Sequence, residues 1–131
     1  MRAVVFGAVL MTALPAQADG MASFFADATN EQGYQLALAA GQIGQARKRM
    51  LDACQKAAVT NPAADCVCAD RELAAVTDRE FFYESVVAYR EYRAKVDALN
   101  AEDTARYEQL KAQHAQRMSL ARRLEAACGK I

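Results

Sequence analysis

Tryptophan is absent from the 131 residues, and proline occurs only at Pro15 and Pro62. A chain so poor in proline and so rich in alanine and leucine reads as almost wholly helical. There is one histidine, His114, and the serines are only Ser23, Ser85 and Ser119. Neither a glycine-rich loop nor a nucleophile elbow accompanies them, so no hydrolytic triad or phosphate cradle can be read from the chain. Charge of one sign is also lacking: 16 basic residues balance 16 acidic ones, and they do not cluster in blocks. Nothing in that pattern favours DNA, RNA or an anionic membrane surface.

The one sustained apolar run lies at the start. Arg2 precedes the apolar stretch 3–13, Pro15 breaks it, and Ala16-Gln17-Ala18 follows as an A-x-A processing site. Residues 1–18 therefore read as a cleavable signal peptide with the cut after Ala18, too short to serve as a membrane span. The expected product is a single soluble domain over 19–131, periplasmic or secreted, with no later transmembrane segment.

Within that domain, Leu36, Ile43 and Met50 recur every seven residues, which predicts a helix over 29–58, with Thr29 and Gln32 in capping-box spacing. Gly33, Gly41 and Gly44 weaken it, or place its true start nearer Gly44. The short apolar segment 21–25 either folds back on the core or stays outside it. Residues 59–76 form a cysteine-containing connection with the Asn61-Pro62 turn and a short helical turn over 71–75. The clearest helix entrance is Thr77, with Glu80 three residues on and a Val76–Phe81 hydrophobic staple. From residue 78 to 127 there is neither glycine nor proline, yet Asn100 and Asp103 interrupt the apolar seam. The chain then either folds back near Asn100 or continues as one helix of about fifty residues.

The cysteines favour the fold. In an antiparallel three-helix bundle, Cys54, Cys66, Cys68 and Cys128 all meet at one pole, whereas one continuous helix carries Cys128 roughly 75 Å from Thr77 at about 1.5 Å per residue. The expected fold is therefore all-α, a disulfide-stapled three-helix bundle, the alternative being a long helical hairpin with a continuous C-terminal helix. Export places the cysteines in an oxidising compartment, where two disulfides are the default: Cys54 with Cys66 or Cys68, and Cys128 with the other.

Sharper chemistry is conceivable at Cys66-Val67-Cys68, where an internal bridge would close a small, reducible ring suited to thiol redox work. The same pair with His114 and Met118 offers soft donors for copper(I), the last two sharing a helix face at four-residue spacing. Neither pattern has the C-x-x-C of a thioredoxin-like site, and no cofactor or metal is expected. The spacings Glu91–Lys95, Arg93–Asp97 and Glu108–Lys111 predict surface ion pairs, and 47–49 and 117–123 are locally basic surfaces. Consecutive Phe81-Phe82-Tyr83, with Tyr89 and Tyr92, exceed what one narrow seam buries. Either this helix is central, or Phe81, Tyr83 and Tyr92 form an interface for a partner.

The stretch 54–80 carries Cys54-Gln55-Lys56-Ala57, a cysteine after about a dozen residues, and Cys68-Ala69-Asp70-Arg71-Glu72-Leu73 before an aspartate. It resembles the opening of LprI-type lysozyme-inhibitor domains, although the additional cysteine of the C-x-C pair, a threonine inserted before Asp78 and the lack of tryptophan depart from that pattern. The resemblance implies a small exported helical protein in which Cys54, Cys68 and Cys128 are structural and the partner is a lysozyme. The functional expectation is a non-enzymatic module, monomeric or homodimeric, that binds a protein of the cell envelope or exterior.

Overall fold

Six helix entrances are set by local chemistry in the computed structural model, which describes residues 16–130. After α1 (Ala16–Ala26), Asp27 accepts the Thr29 N–H at 2.8 Å and opens α2 (Ala28–Ala39); Gly41 opens α3 (Gln42–Ala58). Asp65 accepts the Cys68 N–H and opens α4 (Cys66–Ala74), and Thr77 accepts the Glu80 N–H and opens α5 (Asp78–Asn100). Asp103 and Ser119 do the same for α6 (Thr104–Gln116) and α7 (Leu120–Cys128). Each of these side chains satisfies an amide that the first helical turn leaves without a partner, whereas Gly41 contributes its backbone conformation alone. No strand occurs among the described residues, and no helix among them is long and apolar enough to cross a membrane. The signal segment expected over 1–18 lies outside the described residues as far as residue 15.

The helix entrance at Thr77 and the reversal near Asn100 are both present. Residues 101–103 turn the chain, with Glu102 in the left-handed region at φ 55°, and α6 packs back along α5. Three uninterrupted helices are not what forms, however. The helix expected over 29–58 stops at Ala40 and restarts after Gly41, whose φ of 68° favours a residue without a Cβ. Because α2 turns independently of α3, the seven-residue spacing does not carry across the break. Ile43 is buried while Leu36 is 65% exposed. Thr29 is not the cap; Asp27 is. The connection 59–76 holds the whole of α4, not a single turn, and the last helix breaks at Arg117, where the backbone becomes extended.

α5 is the central element, in contact with α1, α2, α3 and α6, while α4 packs on α3 and α7. The core gathers Tyr34, Ile43, Leu73, Phe81, Leu120 and Leu124. Segment 21–25 belongs to α1, which folds back: Phe24 is buried, and its ring meets Tyr83 and Phe82 edge-on at 5.2 and 6.1 Å. Such edge-to-face contacts are the favoured arrangement of aromatic quadrupoles.

Two arginines tie the helices together. Arg47 of α3 donates to the carbonyls of Leu73 (2.5 Å) and Val76 (2.6 Å) beyond the end of α4, pairs with Asp78, and lies 4.8 Å over the Phe81 ring. Its basic neighbours in 47–49 are exposed, but Arg47 is not a surface charge. Arg47→Ala strands those carbonyls, and we expect it to lower stability by about 2 kcal/mol in urea unfolding. Arg47→Lys, a single point charge, should recover only part of that.

Arg79 of α5 reaches α2, bonding both oxygens of Glu31 at 3.1 and 2.6 Å and lying over Phe25 and Tyr34. The hydrogen bond from Arg79, helped by one from Gln35, lowers the Glu31 pKa from 4.5 to about 2. A depressed carboxylate contributes stability that is complete above its unfolded pKa and is lost as pH falls through the folded one. Acid unfolding should therefore draw on Glu31 between about pH 4.5 and 2, and Glu31→Gln should flatten that limb when melting is followed against pH. An unchanged limb would remove Glu31 from the acid transition.

Candidate functional site

The cysteines come together at one pole, paired Cys54–Cys66 and Cys68–Cys128, with Cα separations of 5.8 and 5.6 Å. Asp65 starts α4 immediately before Cys66, so Cys66 and Cys68 sit in its first turn and point to different helices, α3 and α7. The C-x-C pair thus makes no internal ring, and no free cysteine remains. In this pairing neither Cys66 nor Cys68 presents a free thiolate. His114 and Met118 do not share a helix either, because α6 ends at Gln116. Among the described residues no group of three or more His, Cys, Asp or Glu side chains is placed to hold a metal ion.

Polar chemistry concentrates where the α6–α7 junction meets α5. Glu84 is 4% exposed, and one of its oxygens accepts from Arg117 at 2.7 Å and from the Leu120 N–H at 3.2 Å. Arg117 also grips Glu91 through Nε at 2.8 Å, and a second guanidinium nitrogen approaches the same oxygen. Burial pulls the Arg117 pKa down, but the bonds to Glu84 and Glu91 outweigh it and hold the guanidinium above its ordinary value. Glu91 also faces His114 Nδ1 at 3.7 Å, a buried nitrogen with no hydrogen-bond partner. This is a structural latch. Arg117, whose backbone breaks the last helix, neutralises Glu84, which accepts from the first amide of α7, and Glu91 farther along α5.

The latch changes the surface beside it. Because Arg117 takes Glu91, the expected Glu91–Lys95 pair is not made, whereas Arg93–Asp97 (3.3 Å) and Glu108–Lys111 (3.6 Å) are. Lys95 instead lines a cleft of about 380 Å³ between α3, α5 and the α6–α7 junction, together with Tyr92, Met50 and His114. A second cleft, about 440 Å³, lies on the other side of α5, where Tyr89, Val86 and Phe82 face Ile43, Ala46 and Arg49. Ser85 lines both clefts, so α5 forms the ridge between them.

The aromatic residues divide accordingly. Phe81 is 2% exposed and belongs to the core, because the Val76–Phe81 staple and Arg47 fold over it; it is not an interface residue. Tyr83 is half-buried under α1, where its hydroxyl lies so near Gly20 that an added Cβ would sit 2.7 Å away. Burial raises its pKa, and the neighbouring Glu84 raises it further. Tyr92 is 60% exposed, and so is Tyr89 at 63%. The spacing of rings along α5 does not by itself show that Tyr89 is left uncovered. Comparisons with family models, curated proteins and solved structures find no match to this chain.

Proposed function

We propose that this protein is a non-enzymatic binding module, which engages another protein of the cell envelope or exterior through the α5 ridge. The observation that carries the proposal is the pair Tyr89 and Tyr92, 63% and 60% exposed on one face of a helix braced on several sides. Tyrosine combines a large apolar ring with a hydrogen-bonding tip at low entropic cost, which is why it anchors protein interfaces. Two disulfides support a periplasmic or secreted setting after cleavage behind Ala18, since such bonds persist outside a reducing cytosol. In this reading α2–α3, α5 and α6–α7 act as the three arms of a stapled bundle. The arms supply rigidity; the ridge supplies contact.

A lysozyme is the specific partner implied by the resemblance of 54–80 to LprI-type domains. Excess oxidised protein is expected to slow muramidase action on cell walls, and Tyr89→Ser with Tyr92→Ser should weaken that inhibition at least tenfold without lowering the melting temperature, since both rings are exposed. Unchanged muramidase activity removes the lysozyme. Inhibition that survives the double tyrosine variant removes the α5 ridge.

A further inference from the structure

The α5 ridge carries charge as well as rings, and the charge that is left over is positive. Glu84 and Glu91, the carboxylates lining the first cleft, are both held by Arg117, and no carboxylate lines the second. Arg93, on the same helix, is paired with Asp97. Arg49 lines the cleft beside Tyr89, and Lys95 lines the cleft beside Tyr92. Neither Arg49 nor Lys95 has a hydrogen bond or ion pair among the described residues. Lys95 is left over because the carboxylate one turn back, Glu91, belongs to the latch.

Resting on the binding reading above, we infer that the occupant of this ridge is an acidic segment of a partner protein. Its carboxylates meet Arg49 and Lys95 while its apolar side chains cover Tyr89 and Tyr92. Complementary charge at the rim of an apolar contact steers encounter and rejects wrong partners. A second copy of this chain is disfavoured, because it would bring the same cations against one another. A nucleic acid is disfavoured too: two cations on a chain with a formal net charge of zero provide little counterion release.

Absence of tryptophan from the chain allows a direct test. Two synthetic amphipathic peptides share leucines at helical spacing and one tryptophan; the polar positions are glutamate in one and lysine in the other. Binding to the oxidised protein is read by the tryptophan anisotropy of each peptide. The glutamate peptide should bind about tenfold tighter than the lysine peptide at low salt, and added salt should erode the difference. Arg49→Glu with Lys95→Glu should reverse the preference; both side chains are without partners, and circular dichroism checks that the variant keeps its fold. Equal binding of both peptides, abolished by Tyr89→Ser with Tyr92→Ser, would overturn the acidic partner and leave the ridge standing. Binding of neither peptide, or binding indifferent to the tyrosines and to the charge reversal, would overturn both. Single-stranded DNA of equal charge binding as tightly as the glutamate peptide would overturn the protein partner.

Discussion

Arg117→Met is expected to lower the unfolding free energy by about 3 kcal/mol. The cost does not come from a lost surface ion pair, which is worth at most about 1 kcal/mol. It comes from Glu84, 4% exposed, which keeps only the Leu120 N–H at 3.2 Å when the guanidinium is removed. Glu91 loses its main partner in the same step. Urea unfolding of the oxidised protein measures the loss. Adding Glu84→Gln should return a good part of it, because the charge that has been stranded is then gone, and that coupling is what a double-mutant cycle reads. Arg117→Lys should remain well below wild type, since one ammonium cannot serve carboxylates a turn or two apart on α5. If Arg117→Met cost less than about 1 kcal/mol, water would be reaching Glu84 and the latch would not be what fixes α7.

The two disulfides should differ in worth, and the longer loop should matter more. Cys68–Cys128 closes a separation of 60 residues and Cys54–Cys66 one of 12. Loop-closure entropy in the unfolded chain then assigns about 4 kcal/mol to the first and about 3 to the second. Cys68→Ala with Cys128→Ala should therefore lower the urea midpoint further than Cys54→Ala with Cys66→Ala. The α7 core residues Leu120 and Leu124, only 7% and 5% exposed, would depend on the latch alone in the first variant. An inverted order would mean that the shorter bridge holds α4 in a way that chain entropy does not capture.

What could be read in advance follows how local the physics is. Thr77, Glu80, Val76 and Phe81 lie within six consecutive positions, and the helix entrance they specify forms as expected. The reversal after Asn100 was legible because four distant cysteines could not otherwise meet, and they do meet. The break at Ala40–Gly41 was only half legible: glycine marked the place, but alanine and leucine on both sides favour continuing helix. The break at Arg117 has one local mark, the N-cap residue Ser119 two positions on. Arginine itself is a good helix former, and the buried carboxylate that holds Arg117 lies 33 positions earlier in the chain. A second long-range bond of Arg117, to Glu91, explains why Glu91 does not pair with Lys95, a pairing that spacing alone predicts. Which of the two readings holds for Phe81, central helix or interface, is not legible for a related reason, and the structure puts it in the core. Counting rings on one helix shows that they exceed a seam; it does not show which neighbours arrive to cover them.

Val67 stands between two bridged cysteines that lead to opposite ends of the sequence, back to α3 and forward to α7. A protease that cuts the exposed turn at residues 101–103 therefore opens the chain inside a covalent ring. The two pieces stay one molecule. A clipped population would run as an intact protein on a non-reducing gel and fall into two fragments only after reduction, so such damage is silent until the Cys68–Cys128 bridge is broken.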